Sequence, residues 1–417
     1  MIARDIFPEF RSKCEGQEDF PQAFTSLYNA LLGLVPRGIR THEETGLQFY
    51  TGYSYGTLYD WDQYFEAILQ FYCGLPTSYA VNAISLFIRQ QQESGHIVRT
   101  VPEFPWSNRE HVKPFLCQIA FLCYLVDGHL TWLDEKLFAG LCRYLDHWLV
   151  HLAPRHSGFP VWDSASHTGM DNHMERAGSS GAAFCEGVDL ASYLVRETLA
   201  MSLLAHILGR DDDAERFRGE SEALRARMLQ QMWDESESMF FDIDARTGSR
   251  IQVKYVGAFA ALWSRVAGPD QARAMLERQL LSEEQFWTPF PIPALARSEP
   301  GYAEGFLAGD TQGCCSWRAH TWVPTNYYVV HGLANYGWDQ VAHDLANRTF
   351  EMFFYYPFQE YYTSENGIGT GLRPFWGWSA LALFLPLEAA LGADPTELAI
   401  GNDSIAKVRE AAREIAR

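Results

Sequence analysis

Basic residues are scarce in this chain: 33 lysines and arginines stand against 52 aspartates and glutamates, a formal charge of −19. A phosphate backbone or an anionic membrane would be repelled, and no basic stripe reverses the sign locally. The eight cysteines (Cys14, Cys73, Cys117, Cys123, Cys142, Cys185, Cys314, Cys315) form no Cys-x-x-Cys pair and follow no regular spacing. They read as reduced, small, buried residues. No HExxH, Walker loop or strand-linked GxGxxG occurs and the thirteen histidines are scattered, so neither a metal nor another cofactor is expected. The first ten residues lack the basic-then-apolar order of an export signal, and the apolar stretches 114–133 and 377–393 are broken by Gln118, Asp127, Pro386 and Glu388. A cytoplasmic chain without a membrane span is expected.

What the chain does have is length, apolar content and aromatics. Its 417 residues are 47% hydrophobic, too long for one ordinary compact domain unless the architecture is a barrel or toroid. Helix-period patterns recur on one plan: an apolar helix, a glycine-containing turn, then an amphipathic helix. The clearest pair is Asp189–Leu208 with Asp213–Trp233; Tyr327–Leu333 with Asp339–Phe354 and Gly257–Ala267 with Asp270–Leu280 repeat it. Two more fall around 63–92 and 115–151, so six pairs are expected. The stretch after Trp233, up to Thr247-Gly248, is the one convincing strand signal and suits a hairpin. No Pro-, Gly- or Ser-rich linker divides the chain, which predicts one domain over 1–393 and a polar, helical, peripheral tail over 394–417. Surface cover or homo-oligomerisation would both suit that tail.

The non-helical segments 40–62, 94–114, 155–186, 285–325 and 355–378 are rich in Trp, Tyr, Gly, Asp, Asn and Arg. In a barrel of inner and outer helices such connectors gather at one mouth. The 13 Trp and 20 Tyr suit stacking on sugar rings as well as core packing. Cleaving a glycosidic bond needs a protonated acid beside the leaving oxygen and a second carboxylate, so candidates are carboxylates within these loops. Asp171 follows a glycine in an aperiodic loop, where an apolar, aromatic wall would raise its pKa; Asp163 and Glu175 compete with it. Glu360 sits among five Tyr or Phe residues, with a glycine loop after it, whereas Glu365 reads as a solvent-facing turn residue. Asp62 and Arg318 either bind substrate hydroxyls or form structural ion pairs, because a buried charge is costly unless paired.

Five ordered motifs, Tyr59-Asp-Trp-Asp-Gln-Tyr-Phe-Glu, Gly169-Met-Asp-Asn, Trp317-Arg with Trp322 and Pro324-Thr-Asn-Tyr, Glu360-Tyr-Tyr, and Phe375-Trp-Gly-Trp-Ser, run between about residues 50 and 390. With them the chain resembles glycoside hydrolase family 63, and within it the bacterial mannosylglycerate and glucosylglycerate hydrolases; it is more distantly similar to inverting trehalases. The resemblance implies an all-α (α/α)6 barrel with long mouth-side loops, Asp171 as general acid and Glu360 as general base. It further implies that Tyr55, Tyr59, Trp61 and Asp62 line the sugar pocket and that Trp317, Arg318 and Trp322 complete it; Trp376, in the last motif, is also expected to touch substrate. The chain departs from the family in having Ala319-His-Thr between Arg318 and Trp322, where many members carry Gly-Pro.

The expected reaction is therefore inverting hydrolysis of a small α-glycoside, glucosylglycerate or mannosylglycerate, with the carboxyls about 6.5–9.5 Å apart. A glycerate carboxylate needs a local cation in so acidic a chain, and Arg109, Arg176 and Arg373 are candidates. Three rivals stand beside this. One is hydrolysis of a neutral disaccharide of the trehalose or kojibiose type. Another is a sugar 2-epimerase of the same barrel, with His173 and His320 moving protons. The third is a non-catalytic carbohydrate-binding protein. Partners other than a small glycoside, nucleic acid and membrane included, are not expected.

Overall fold

The computed structural model describes residues 3–15, 22–53, 56–153, 157–173, 175–177, 185–305 and 315–399. Helices α1 (Ala3–Glu15) and α2 (Gln22–Leu34) precede the pairs α3 (Asp62–Tyr72) with α4 (Ser78–Arg89) and α5 (Leu116–Asp127) with α6 (Glu135–Asp146). A single-turn α7 (Ala165–Thr168) is followed by α8 (Val188–Ile207) with α9 (Asp211–Gln231) and by α10 (Ala260–Trp263) with α11 (Pro269–Met275). The pair α12 (Val323–Ala334) with α13 (Asp339–Tyr355) and a last helix α14 (Leu381–Leu391) complete the set.

Helices α3, α5, α8, α10, α12 and α14 touch in that order, and α14 closes back on α3. This is the inner ring of an (α/α)6 barrel. All eleven residues of α3 are buried, since a ring helix has neighbours on every side. The outer α9 instead buries one stripe, Ala214, Phe217, Ser221, Leu224 and Met228, and faces water elsewhere. The sixth outer position is filled by α1 and α2, from the other end of the chain, packed on α3, α5 and α14.

Inner-to-outer turns are short; Gly128 closes α5 in the left-handed region (φ 75°), which glycine adopts without steric cost. Outer-to-inner connectors are long, and all precede the N-termini of ring helices, so they collect at one end. Within them lie five small antiparallel sheets. The expected hairpin is present as Trp233–Asp234 with Met239–Phe240. It is not alone: Leu58–Tyr59 pairs with Thr100–Val101, and Tyr361–Thr363 pairs with both His320–Thr321 and Gly369–Thr370. Strands of two or three residues are too short for an alternation pattern to reveal.

The segment after α14 differs from the expected appendage over its first six residues. Residues 394–399 are turn and coil, not helix, and dock on the barrel: the Arg196 guanidinium donates to the Thr396 carbonyl at 2.8 Å. Residues 400–417 lie outside the described residues. No helix among the described residues is long and apolar enough to cross a membrane.

Candidate active site

At the connector-rich end a cavity of about 540 Å³ is lined by Asp62, the first residue of α3, and by residues from five connectors, Tyr59, Trp61, Asp171, Trp317, Trp322 and Glu360 among them. Its wall is aromatic. Trp317 and Trp322 stack at 3.7 Å, Tyr361 stacks on Trp322 at 4.5 Å, and Trp61 and Trp378 pack against this group at 5.7–5.8 Å.

Local chain geometry places each carboxylate. Ser164 caps α7, its hydroxyl accepting the His167 N–H at 2.9 Å, and Gly169 ends it at φ 84°. A Cβ on Gly169 would come within 3.0 Å of the Trp61 ring, so only glycine lets the loop lie against the indole and present Asp171 to the cavity. Asn172 then accepts the Trp317 N–H at 2.7 Å, tying two walls together. Glu360 directly precedes the strand Tyr361–Thr363. Its Oε2 accepts the Leu372 N–H at 2.8 Å and its Oε1 accepts the Cys315 thiol at 3.0 Å. Gly371 allows this approach, because a Cβ there would sit 2.6 Å from Oε2.

The carboxylates differ electrostatically. Burial pushes the Asp171 carboxyl up to about 6; Arg99 and Lys113 pull against it, while Glu360 and Glu110 add to the rise. Asp171 accepts no hydrogen bond among the described residues. Burial also raises Glu360, and its contacts with Leu372 and Cys315 favour the ionised form. Asp62 is pushed up to about 7, by burial first and then by Asp60. Beneath it Asp60 is held low despite its burial, by Lys113 at 3.1 Å and Arg99 at 3.7 Å. The site therefore holds an acid that stays protonated into mildly acidic water and a second carboxylate whose two donors offset part of its burial, an asymmetry that suits general acid and base roles.

Three expected contacts are placed elsewhere. Arg318 does not line the cavity; it pairs with Glu175 and donates to the carbonyls of Asn172 and Gly301 at 3.2 Å, a structural clamp. That pairing also occupies Glu175, and Asp163 faces His167 at 3.4 Å, so neither competitor of Asp171 is on the wall. Trp376 is fully buried and donates to the Tyr50 hydroxyl at 2.8 Å; the tryptophan of that motif on the wall is Trp378. Arg109 is exposed and off the wall. Tyr55 lies outside the described residues. His173 and His320 are buried away from the cavity and kept neutral, His320 by burial that pushes it down to about 4. Glu365 is half-buried rather than free in solvent, paired with Arg297 at 2.6 Å. Cys315 is likewise a wall residue rather than a core one.

Sequence reasoning missed Arg99, Trp106, Ser166, Leu372 and Trp378, which complete the wall with Cys315 and Gly169. A usable signal existed for Arg99, a lone charge inside the apolar run Ile97-Val98-Arg99-Thr100-Val101 of a mouth-side connector.

Residues 55–379 match the family described as mannosylglycerate hydrolase MGH1-like glycoside hydrolase domain. The chain belongs to that family. A mannosylglycerate hydrolase from Rubrobacter radiotolerans is 29% identical over 201 residues, 47% of this chain and 42% of that enzyme. A cytosolic neutral trehalase from Kluyveromyces lactis is 27% identical over 128 residues, 31% of this chain and 16% of that protein. The matched stretches thus span less than half of either curated relative. In fold, the chain is similar to the crystal structure of a GH63 mannosylglycerate hydrolase from Thermus thermophilus in complex with Tris and D-glycerate, with a TM-score of 0.69 at 18% identity, covering 86% of this chain and 99% of that one.

Proposed function

We propose that the protein hydrolyses a small α-glycoside with inversion, releasing a hexose from glucosylglycerate or mannosylglycerate. Asp171 protonates the bridging oxygen and Glu360 takes a proton from the water that attacks the anomeric carbon on the opposite face of the sugar. The observation that carries this reading is the pairing of two unlike carboxylates in one aromatic cavity: Asp171 without hydrogen-bond donors among the described residues and raised to about 6, Glu360 with two donors aimed at its oxygens. Asp62, raised further still, grips sugar hydroxyls rather than moving protons. It opens α3 on the cavity floor, beside Asp60, whereas Asp171 stands on a loop within reach of the charge of Glu360. Because Asp171 must be protonated and Glu360 ionised, kcat/KM should fall above about pH 6 and again below the raised value of Glu360.

The likeness to a trehalase favours one second reading, a neutral disaccharide as substrate. Purified protein incubated with glucosylglycerate, mannosylglycerate, trehalose and kojibiose separates the two. Glycerate release from either of the first pair supports the proposal, turnover of the last two alone replaces its substrate class, and no hydrolysis of any of the four removes it.

A further inference from the structure

We propose that Glu66 is a positioning residue for the base: through Gly52, Gly377 and Trp378 it sets where Glu360 stands relative to the sugar held by Asp62. This role rests on the hydrolase reading above. It gives a use to two motif positions that do not line the cavity, the closing glutamate of Tyr59-Asp-Trp-Asp-Gln-Tyr-Phe-Glu and the glycine of Phe375-Trp-Gly-Trp-Ser.

Glu66 lies one helical turn below Asp62 on α3 and is fully buried. Both of its oxygens meet donors. Oε1 accepts the Gly52 N–H, and Oε2 accepts the Gln63 side-chain amide. Gln63 Nε2 also donates to the Tyr50 carbonyl at 2.7 Å, and this partner fixes which way the amide points. A carboxylate is therefore the group that fits, because an amide at 66 would offer one acceptor where two donors arrive. A buried carboxylate is a costly way to gain stability, and an apolar side chain would fill the same space. What Glu66 supplies is a fixed geometry.

That geometry is passed on through backbone. Gly52, pinned by Glu66, accepts the N–H groups of Trp376 and Gly377 on its carbonyl, both at 2.8 Å. The two glycines lie back to back. A Cβ on Gly52 would overlap the Gly377 backbone, and one on Gly377 would sit 2.6 Å from Glu66 Oε1 and 2.9 Å from the Gly52 Cα. Contact between two backbones has no side-chain rotamers to absorb movement, so a shift at Gly52 must be taken up by Gly377. Trp378, next in the chain, donates its indole N–H to the Glu360 carbonyl at 3.3 Å, and the Phe375 N–H donates to the Phe358 carbonyl at 2.8 Å. The segment carrying the base thus hangs at two points on the motif that Glu66 anchors.

Inversion needs a water held between the base and the anomeric carbon, and a misplacement of about 1 Å costs about 10²-fold in rate. Asp62 and Glu66 stand on the same helix, so the grip on the sugar and the anchor of the base are one body. Sugar binding and base placement are coupled without Glu66 touching either the sugar or the water.

The test is Glu66→Gln in the full chain, assayed on glucosylglycerate, mannosylglycerate and the α-glucosyl and α-mannosyl fluorides. Fluoride departs with little help from an acid, while the attacking water still needs its base. On whichever glycoside and fluoride the wild type hydrolyses, kcat per folded molecule should fall about 10- to 100-fold, by the same factor on both, with KM within about twofold of wild type. A role confined to stability would lower the folded fraction and leave kcat per folded molecule unchanged, and an effect routed through the acid would spare the fluoride; either result overturns the proposal. Should Glu66→Gln not fold, Gln63→Met, which withdraws one of the two donors, should show the same pattern at about 3- to 10-fold, and a kcat within about twofold of wild type there overturns it as well.

A second readout needs no turnover. In proton–nitrogen NMR the indole N–H of Trp378, identified by its loss in Trp378→Phe, should shift and exchange faster with solvent in Glu66→Gln, whereas that of Trp148, bonded to the Val112 carbonyl at 3.0 Å, should do neither. If the wild type hydrolyses no glycoside or fluoride, a Trp378 signal that moves keeps the anchor and removes the hydrolase. Hydrolysis with an unmoved Trp378 signal does the reverse.

Discussion

The two ends of the barrel treat buried charge in opposite ways. At the end with short turns, Glu388 accepts hydrogen bonds from the hydroxyls of Tyr72 and Tyr327 (3.2 Å for Tyr327) and from His331 Nε2 at 2.9 Å. Arg196 there lies 3.7 Å over the Trp263 ring and bonds Gln118 and Thr396. At the mouth, Asp171 and Asp62 accept no hydrogen bond from any other described residue, although Asp62 is buried and Asp171 half-buried. Burial alone therefore does not mark a functional carboxylate. What separates the ends is whether the acceptor is already satisfied by protein or is left for an incoming ligand.

That contrast can be broken most strongly at the catalytic pair. Asp171→Asn and Glu360→Gln should each lower turnover by about 10²- to 10⁴-fold, whereas Glu388→Gln should leave turnover per folded molecule unchanged; equal losses in all three would erase the distinction. Next in size is stability. Glu388→Ala removes the acceptor shared by His331, Tyr72 and Tyr327 and should cost about 3–5 kcal/mol in denaturant unfolding.

Asp171→Asn should do the opposite. The folded carboxyl titrates near 6, above the usual 3.8, so the native state loses stability as pH rises between those values, by at most about 1.4 kcal/mol per unit. The asparagine variant should be more stable than wild type near pH 7 by about 1–2 kcal/mol, and the gap should close below about pH 4. A loss of stability at neutral pH would show that Asp171 is satisfied after all.

The smallest effect expected is at Cys315. Cys315→Ala removes one of two hydrogen bonds that favour ionised Glu360, so the acid limb of kcat/KM should move to higher pH by about a unit or less, with the alkaline limb fixed. An unmoved acid limb would detach the thiol from the base.

The ring of helices was legible because the inner helices are mostly apolar and the outer ones amphipathic, over stretches as long as α8 and α9. The sixth pair was not, since α14 packs on helices that begin some 350 residues earlier, and periodicity carries no information about partners. Within the site, Asp171 and Glu360 could be singled out as carboxylates in aromatic loops. Choosing Trp376 over Trp378 illustrates the limit: both stand in Phe375-Trp-Gly-Trp-Ser, and only the fold determines that the first turns to Tyr50 and the second to the cavity. Arg318 makes the same point: it stands in an ordered motif, and only the fold determines that it turns to Glu175 rather than to the cavity.

The most direct test of the central claim follows the anomeric signals of the first hexose released from an α-glycoside by proton NMR, before mutarotation mixes them. Attack by a Glu360-activated water opposite the Asp171-protonated oxygen predicts that the β-anomer appears first. Initial release of the α-anomer would mean a covalent, retaining course and would contradict the roles assigned to both carboxylates.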